Sequence, residues 1–155
     1  MSNRDKPHIL IVEARFYDDI ADELARGAIA EIEKRGATYE RIAVPGAFEI
    51  PAAIQFAAQG QDDSDTPLYD GYVALGCVIR GETSHYDYVC GESARGLMDL
   101  SIQYGLAIGY GILTVENQEQ AWARAKVDQK NKGGDVAEAC LEMVALQQRF
   151  GVLES

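Results

Sequence analysis

The 155-residue chain is 47% apolar and 25% charged, and its 14 basic against 25 acidic side chains leave a formal charge of −11. At about 100–200 residues per domain, this is one domain over 1–155 with a sizeable core. Such a charge argues against general binding to nucleic acid or anionic lipid, whose phosphates it would repel.

Any anionic substrate therefore needs a local basic site. The opening residues Met1-Ser2-Asn3-Arg4-Asp5-Lys6-Pro7 are not followed by the apolar run of about 7–15 residues of a signal peptide. No stretch approaches the ~18–20 apolar residues of a membrane span. Cys77, Cys90 and Cys140 lack metal-ligand spacing, and the chain has only two histidines. The cysteines are expected to be small buried hydrophobes of a metal-free, cytoplasmic protein.

Residues 8–12, His-Ile-Leu-Ile-Val, form the short apolar run expected of a strand covered on both faces. Asp18 or Asp19 can cap a helix running to about Arg35, in which Ile20, Leu24, Ala28 and Ile32 recur at helical spacing before Gly36 stops it. A second strand is expected over 39–44. The turn 45–49 leads into a helix with Pro51 near its first position, ending near Gly60 and followed by a polar loop over 61–67. Residues 71–79 give the clearest strand; the loop 80–85 follows, and a helix then runs to about Tyr104. A fourth strand is expected over 107–113, with glycines that allow close backbone approach. Thr114 or Asn117 opens a helix through Lys126. A charged loop to Gly134 then precedes a last helix, whose apolar side carries Val136, Cys140, Met143, Val144 and Leu146. Strands alternating with helices argue a three-layer α/β/α sandwich around a four-stranded parallel sheet. Its two edges need covering, which favours a homo-oligomer.

In such a sheet ligands bind beyond the carboxyl ends of the strands. The loops there place Phe16 and Phe48 where connectors are usually polar. They either cover an edge of the core or stack on a planar heterocycle. Glu49 either complements a helix dipole or accepts hydrogen bonds from hydroxyl or amine groups of a polar ligand. In the third loop Gly81 permits a tight turn, and backbone N–H groups near Thr83 and Ser84 precede a helix start, a ready anion site. His85 ends that loop, where it either caps the helix or bonds Asp87, or acts as an acid–base group beside a bound phosphate. The loop lacks the spaced glycine and lysine of a nucleotide-hydrolysing loop, and no Gly-x-Gly-x-x-Gly follows the first strand. The residues alone thus point to an α/β domain binding a planar polar ring and a phosphate.

At these residues the chain resembles the 6,7-dimethyl-8-ribityllumazine synthase family, from about Ile9 to Phe150. The likeness rests on Arg15-Phe16, on Val44-Pro45-Gly46-Ala47-Phe48-Glu49-Ile50-Pro51, and on Leu75-Gly76-Cys77-Val78-Ile79-Arg80-Gly81-Glu82-Thr83-Ser84-His85-Tyr86-Asp87. It continues through Thr114-Val115-Glu116-Asn117, Gln120-Ala121, Arg124 and Asn131-Lys132-Gly133.

The resemblance implies a flavodoxin-like fold and a transferase of riboflavin biosynthesis. That enzyme condenses 5-amino-6-(D-ribitylamino)uracil with 3,4-dihydroxy-2-butanone 4-phosphate, releasing phosphate and water, with no metal and no cofactor. It implies that Phe16 stacks on the pyrimidine, and that Ala47, Phe48 and Glu49, with Cys77, Val78 and Ile79, hold the ring and ribityl chain. Glu82 and Thr83 match the phosphate loop and His85 the acid–base histidine. Tyr110 and Arg124 match positions supplied by a neighbouring subunit, Arg124 gripping phosphate. Arg80, Arg124 and Lys132 are expected to concentrate positive potential at the pocket. The family implies a pentamer or a 60-subunit shell of pentamers. Cys77 stands where relatives often have Thr, Glu82 puts an acid in the phosphate loop, and Tyr110 replaces a frequent Phe. The alternative from another class is a non-catalytic flavin- or lumazine-binding assembly protein, against which His85 and Arg124 together argue.

Overall fold

A computed structural model describes residues 5–60 and 66–151 of the chain. Four strands, β1 (His8–Ala14), β2 (Thr38–Val44), β3 (Gly71–Ile79) and β4 (Ile108–Val115), form one sheet in the order β2-β1-β3-β4. All three pairings are parallel, so each connection must cross over the sheet, and helices do so. α1 (Asp18–Lys34), α4 (Gln118–Ala125) and α5 (Lys132–Phe150) cover one face; α2 (Ile50–Gln59) and α3 (His85–Tyr104) cover the other. The three-layer α/β sandwich expected from the sequence is what forms.

Strand alternation divides the core in two. Ile9 and Ile11 of β1, with Val73 and Leu75 of β3, join Leu24, Ala28 and Ile32 of α1 and Val136 and Cys140 of α5. Leu10, Val12 and Ala14, with Tyr72 and Ala74, meet Ile50 and Ile54 of α2 and Leu97 and Leu100 of α3. The glycines of β4 set the spacing of the first layer. A Cβ on Gly109 would lie 2.2 Å from the Val136 carbonyl oxygen of α5, so only glycine admits that helix so close.

Several boundaries depart from expectation. β1 continues through Glu13, a polar residue that hides the strand in the apolar pattern but is buried through ion pairs. Neither Asp18 nor Asp19 caps α1. The cap is Tyr17, without a side-chain hydrogen bond, and both aspartates lie in the first turn, where they complement the helix dipole. Of the two openers proposed for α4, Thr114 stays in β4 and Asn117 caps, its side chain accepting from the Gln120 N–H at 2.9 Å. α5 starts at Lys132, two residues before Gly134, because Asn131 adopts the left-handed conformation and accepts from the Gly134 N–H at 3.2 Å. Val136, Cys140 and Val144 are buried as expected, whereas Met143 and Leu146 are exposed on α5. Of the cysteines, Cys77 and Cys140 are buried and Cys90 is only half-buried. The polar loop of 61–67 falls mostly outside the described residues.

β2 is an edge strand, exposed along most of its length, and α2 and α3 present Phe56, Met98 and Ile102 at 71%, 59% and 76% exposure. The opposite layer also exposes apolar groups, Met143, Leu146 and Phe150 of α5, so large apolar side chains face outward on both sides.

Candidate active site

The order β2-β1-β3-β4 reverses direction between β1 and β3, and the crevice of a parallel sheet opens at that switch point. A cleft of about 470 Å³ lies there, at the carboxyl ends of β1, β2 and β3. β1 delivers Phe16 and Tyr17; the short 3₁₀ turn after β2 delivers Ala47, Phe48 and Glu49; the end of β3 delivers Cys77, Val78 and Ile79; α3 contributes His85 and Val89. Eight of the residues singled out in the sequence thus share one cavity. A second cleft, of about 390 Å³, sits at the amino ends of β3 and β4 and contains none of them. Volume does not separate the two; position and chemistry do.

Phe16 and Phe48 are 75% and 57% exposed, and neither belongs to the core. Two rings held open beside an apolar floor leave faces for a planar ligand. Among the described residues the one aromatic ring that Phe16 meets is Tyr17, edge-on at 4.9 Å between centroids. Tyr17 was not singled out as a binding residue, although it directly follows Phe16. Val89 was missed too, and its signal was its place one helical turn beyond His85. Burial pushes the Cys77 thiol up to about 11, so the strand end presents a neutral S–H to the cleft. Burial also raises the Tyr17 hydroxyl, with the neighbouring Cys77 adding to it.

The His85 side chain opens α3 at the mouth of the cleft. Its backbone N–H donates to the Thr83 hydroxyl at 3.3 Å, while its imidazole has no hydrogen-bond partner among the described residues. The ring is therefore neither a helix cap nor tied to Asp87. Glu49 sits as the residue before α2, exposed, and caps nothing with its side chain.

The loop 80–84 departs from expectation in two respects. Gly81 is not among the glycines with positive φ, and a Cβ there would meet open space, so no tight turn demands it. Arg80 does not lend the cleft free positive charge. It pairs with Glu116 at 2.8 Å and Asp87 at 3.5 Å, and its guanidinium lies 4.2 Å from the centre of the Tyr86 ring. Glu82 and Thr83 are exposed and outside the cleft lining.

Tyr110 and Arg124 also lie outside the lining. Tyr110 stands on β4 near Tyr86 and Cys90, its hydroxyl raised chiefly by burial. Arg124 donates to its own helix, at 3.0 Å from the Gln120 carbonyl oxygen. Among the described residues, no three His, Cys, Asp or Glu side chains come together as a metal site. No described helix is long and apolar enough to cross a membrane.

Residues 6–148 match the family model of 6,7-dimethyl-8-ribityllumazine synthase. The chain belongs to this family. Proteins of that name from Bartonella tribocorum and Bartonella bacilliformis are 62% and 61% identical to it, covering 96% and 94% of this chain and 95% and 93% of their own. The protein of that name from Agrobacterium fabrum is 60% identical over 94% of this chain and 98% of its own. Lumazine synthases are transferases, and the small-molecule cleft at the switch point is the place this fold offers for their chemistry.

Proposed function

We infer that the chain catalyses the lumazine synthase reaction: condensation of 5-amino-6-(D-ribitylamino)uracil with 3,4-dihydroxy-2-butanone 4-phosphate to 6,7-dimethyl-8-ribityllumazine, releasing phosphate and water. The observation that carries this is the gathering of Phe16, Phe48, Glu49, Cys77, Val78, Ile79 and His85 around one cleft. Phe16 stacks on the pyrimidine. Ala47 and Phe48, with the end of β3, flank the ring and ribityl chain, and the exposed Glu49 accepts hydrogen bonds from hydroxyl or amine groups.

The ring amine attacks the ketone of the butanone phosphate, and the carbinolamine loses water to give a Schiff base. Each step moves a proton, which His85 accepts and returns. Loss of a proton from carbon then expels inorganic phosphate. The charge on that leaving group is met by backbone N–H groups near Thr83 and Glu82 and by a guanidinium. The enol left by that elimination tautomerises to a ketone, and the ribityl-bearing amino nitrogen closes on this new carbonyl with loss of a second water, a step governed by orientation.

We assign the guanidinium to Arg124 of a second copy, with Tyr110 of that copy flanking the ring. Neither lines the cleft of its own chain, and Arg80 is neutralised by Glu116 and Asp87. The open β2 edge and the apolar faces of α2 and α3 support a homo-oligomer, as a pentamer or a shell of pentamers. Residues 1–155 act as one domain, in the cytoplasm, with no cofactor and no nucleic-acid partner.

The test is turnover by the purified chain with both substrates, read by lumazine fluorescence above the uncatalysed rate. A clear enzymatic rate is expected. No rate from a chain that still binds the ribitylaminouracil would turn the reading into that of a binding protein.

A further inference from the structure

Glu13 is one of two polar residues in the buried interior, and the only charged one among the described residues. The alternation that sends Ile9 and Ile11 towards α1 continues to it, so its carboxylate lies on the α1 side of the sheet, at the last turn of β1 before the cleft. It is chelated from two directions. Arg41 of the edge strand donates through Nε at 2.7 Å and Nη2 at 3.0 Å, and Arg15 donates through Nη1 at 2.8 Å. Arg15 also reaches forward to α1, with Nε 3.3 Å from Asp18 and Nη2 bonded to Asp22. Each guanidinium is held strongly protonated, Arg15 first by its hydrogen bond to Asp22 and Arg41 by that to Glu13.

The consequence falls on the next residue. Arg15 is anchored at three points on the α1 side, so Phe16 leaves the backbone towards the cleft. Its ring has almost nothing else to fix it, being 75% exposed with one edge contact to Tyr17. We propose that Glu13, Arg15 and Arg41 are positioning residues for ring binding: the buried carboxylate and its two arginines clamp the loop 15–17 and thereby aim Phe16 at the pyrimidine. This rests on the stacking role given to Phe16 above. It also gives the edge strand β2 a part in a site that its Arg41 never touches.

The experiment is a double-mutant cycle on the full chain. Arg15→Gln, Arg41→Gln and Phe16→Ala are made singly, and each arginine change is combined with Phe16→Ala. KM for each substrate, kcat, and the Kd of 6,7-dimethyl-8-ribityllumazine by its fluorescence are measured for all. Arg15→Gln is expected to raise KM for the ribitylaminouracil and the lumazine Kd about threefold, less than Phe16→Ala does, with KM for the butanone phosphate unchanged. In the Phe16→Ala background the arginine changes should add nothing. Additive effects, or equal changes in both KM values, would overturn the clamp and leave a merely structural ion-pair network. Glu13→Gln is the stronger perturbation, but it leaves two guanidinia without their acceptor. Should it fail to fold, the two arginine variants decide alone. If the parent chain shows no turnover, the synthase reading fails by itself, and the lumazine Kd cycle still judges the clamp.

Discussion

Two loops enter the cleft from neighbouring strands, and they are held in opposite ways. The loop after β1 is braced from beneath by the buried carboxylate of Glu13 and carries its aromatic residue outward. The loop after β3 is exposed from Arg80 to His85, with Arg80 paired to the surface carboxylates Glu116 and Asp87. The first is a fixed platform suited to a flat ring. The second is an exposed stretch whose own cation is already paired, which on the proposed reading suits a phosphate that must arrive, react and leave. With Arg124 assigned to a second copy as proposed, the site divides into a half built within the chain and a half that the neighbour would complete. The largest test of this division is His85, which stands between the halves. His85→Ala should lower kcat by about 10²–10⁴-fold, the usual contribution of a positioned acid–base group. Lumazine binding should stay within about twofold, because the platform is untouched. A loss of binding equal to the loss of rate would merge the two halves into one.

Beside the braced loop Cys77 is buried near the end of β3, and it reports on the packing there. Its thiol is raised from 9.0 to about 11 by burial, so below pH 9 its thiolate fraction is about 100-fold smaller than that of a free cysteine. Alkylation of Cys77 by iodoacetamide, followed by peptide mass spectrometry in the native protein, should be slower by about that factor. The same shift has a sign for stability. The unfolded thiol ionises first as pH rises, so the folded state loses protection between about 9 and 11. Fast alkylation at neutral pH would mean that the platform is wet.

How much of this was readable beforehand depends on which force set each feature. Strands such as 71–79 and the α1 stripe Ile20-Leu24-Ala28-Ile32 follow from apolar periodicity, and the structure keeps them. The end of β1 was hidden because Glu13 reads as a loop residue, and its burial is offset by Arg15 together with Arg41, 28 positions away. The start of α5 was hidden because Asn131 in a left-handed conformation is a local choice that Gly133-Gly134 disguised as loop. In the site, residue types and their order identified the cleft lining, as Phe16, Phe48 and His85 show. The pairing of Arg80 with Glu116 lay across 36 residues of sequence, and no local pattern contains it.

The open half makes the next prediction. If phosphate is gripped by Arg124 of a neighbouring copy, Arg124→Ala should raise KM for the butanone phosphate by roughly 10- to 100-fold, the worth of one charge-assisted hydrogen bond. KM for the ribitylaminouracil should hold. Mixing unfolded His85→Ala and Arg124→Ala chains and refolding them together should then restore about a quarter of parental activity at butanone phosphate well below the parental KM, since about a quarter of shared sites draw both intact residues. Recovery no greater than the sum of the separate variants would place Arg124 in its own chain's site.

The smallest expected effect is the most informative about the platform. Phe16→Ala removes one stacked face, worth about 0.5–1.5 kcal/mol beyond simple burial, so KM for the ribitylaminouracil and the lumazine Kd should rise about three- to tenfold. The exposed ring supports little of the fold, so melting should shift by no more than about a degree or two, as for other surface changes. Phe16→Leu separates the two parts of the effect: it keeps apolar cover but loses the flat face, and its binding should resemble that of alanine more than that of phenylalanine. If leucine instead restored full affinity, Phe16 would act as a hydrophobic lid. The bracing by Glu13 would then matter only for where the loop sits, not for the angle at which an aromatic face meets the ligand.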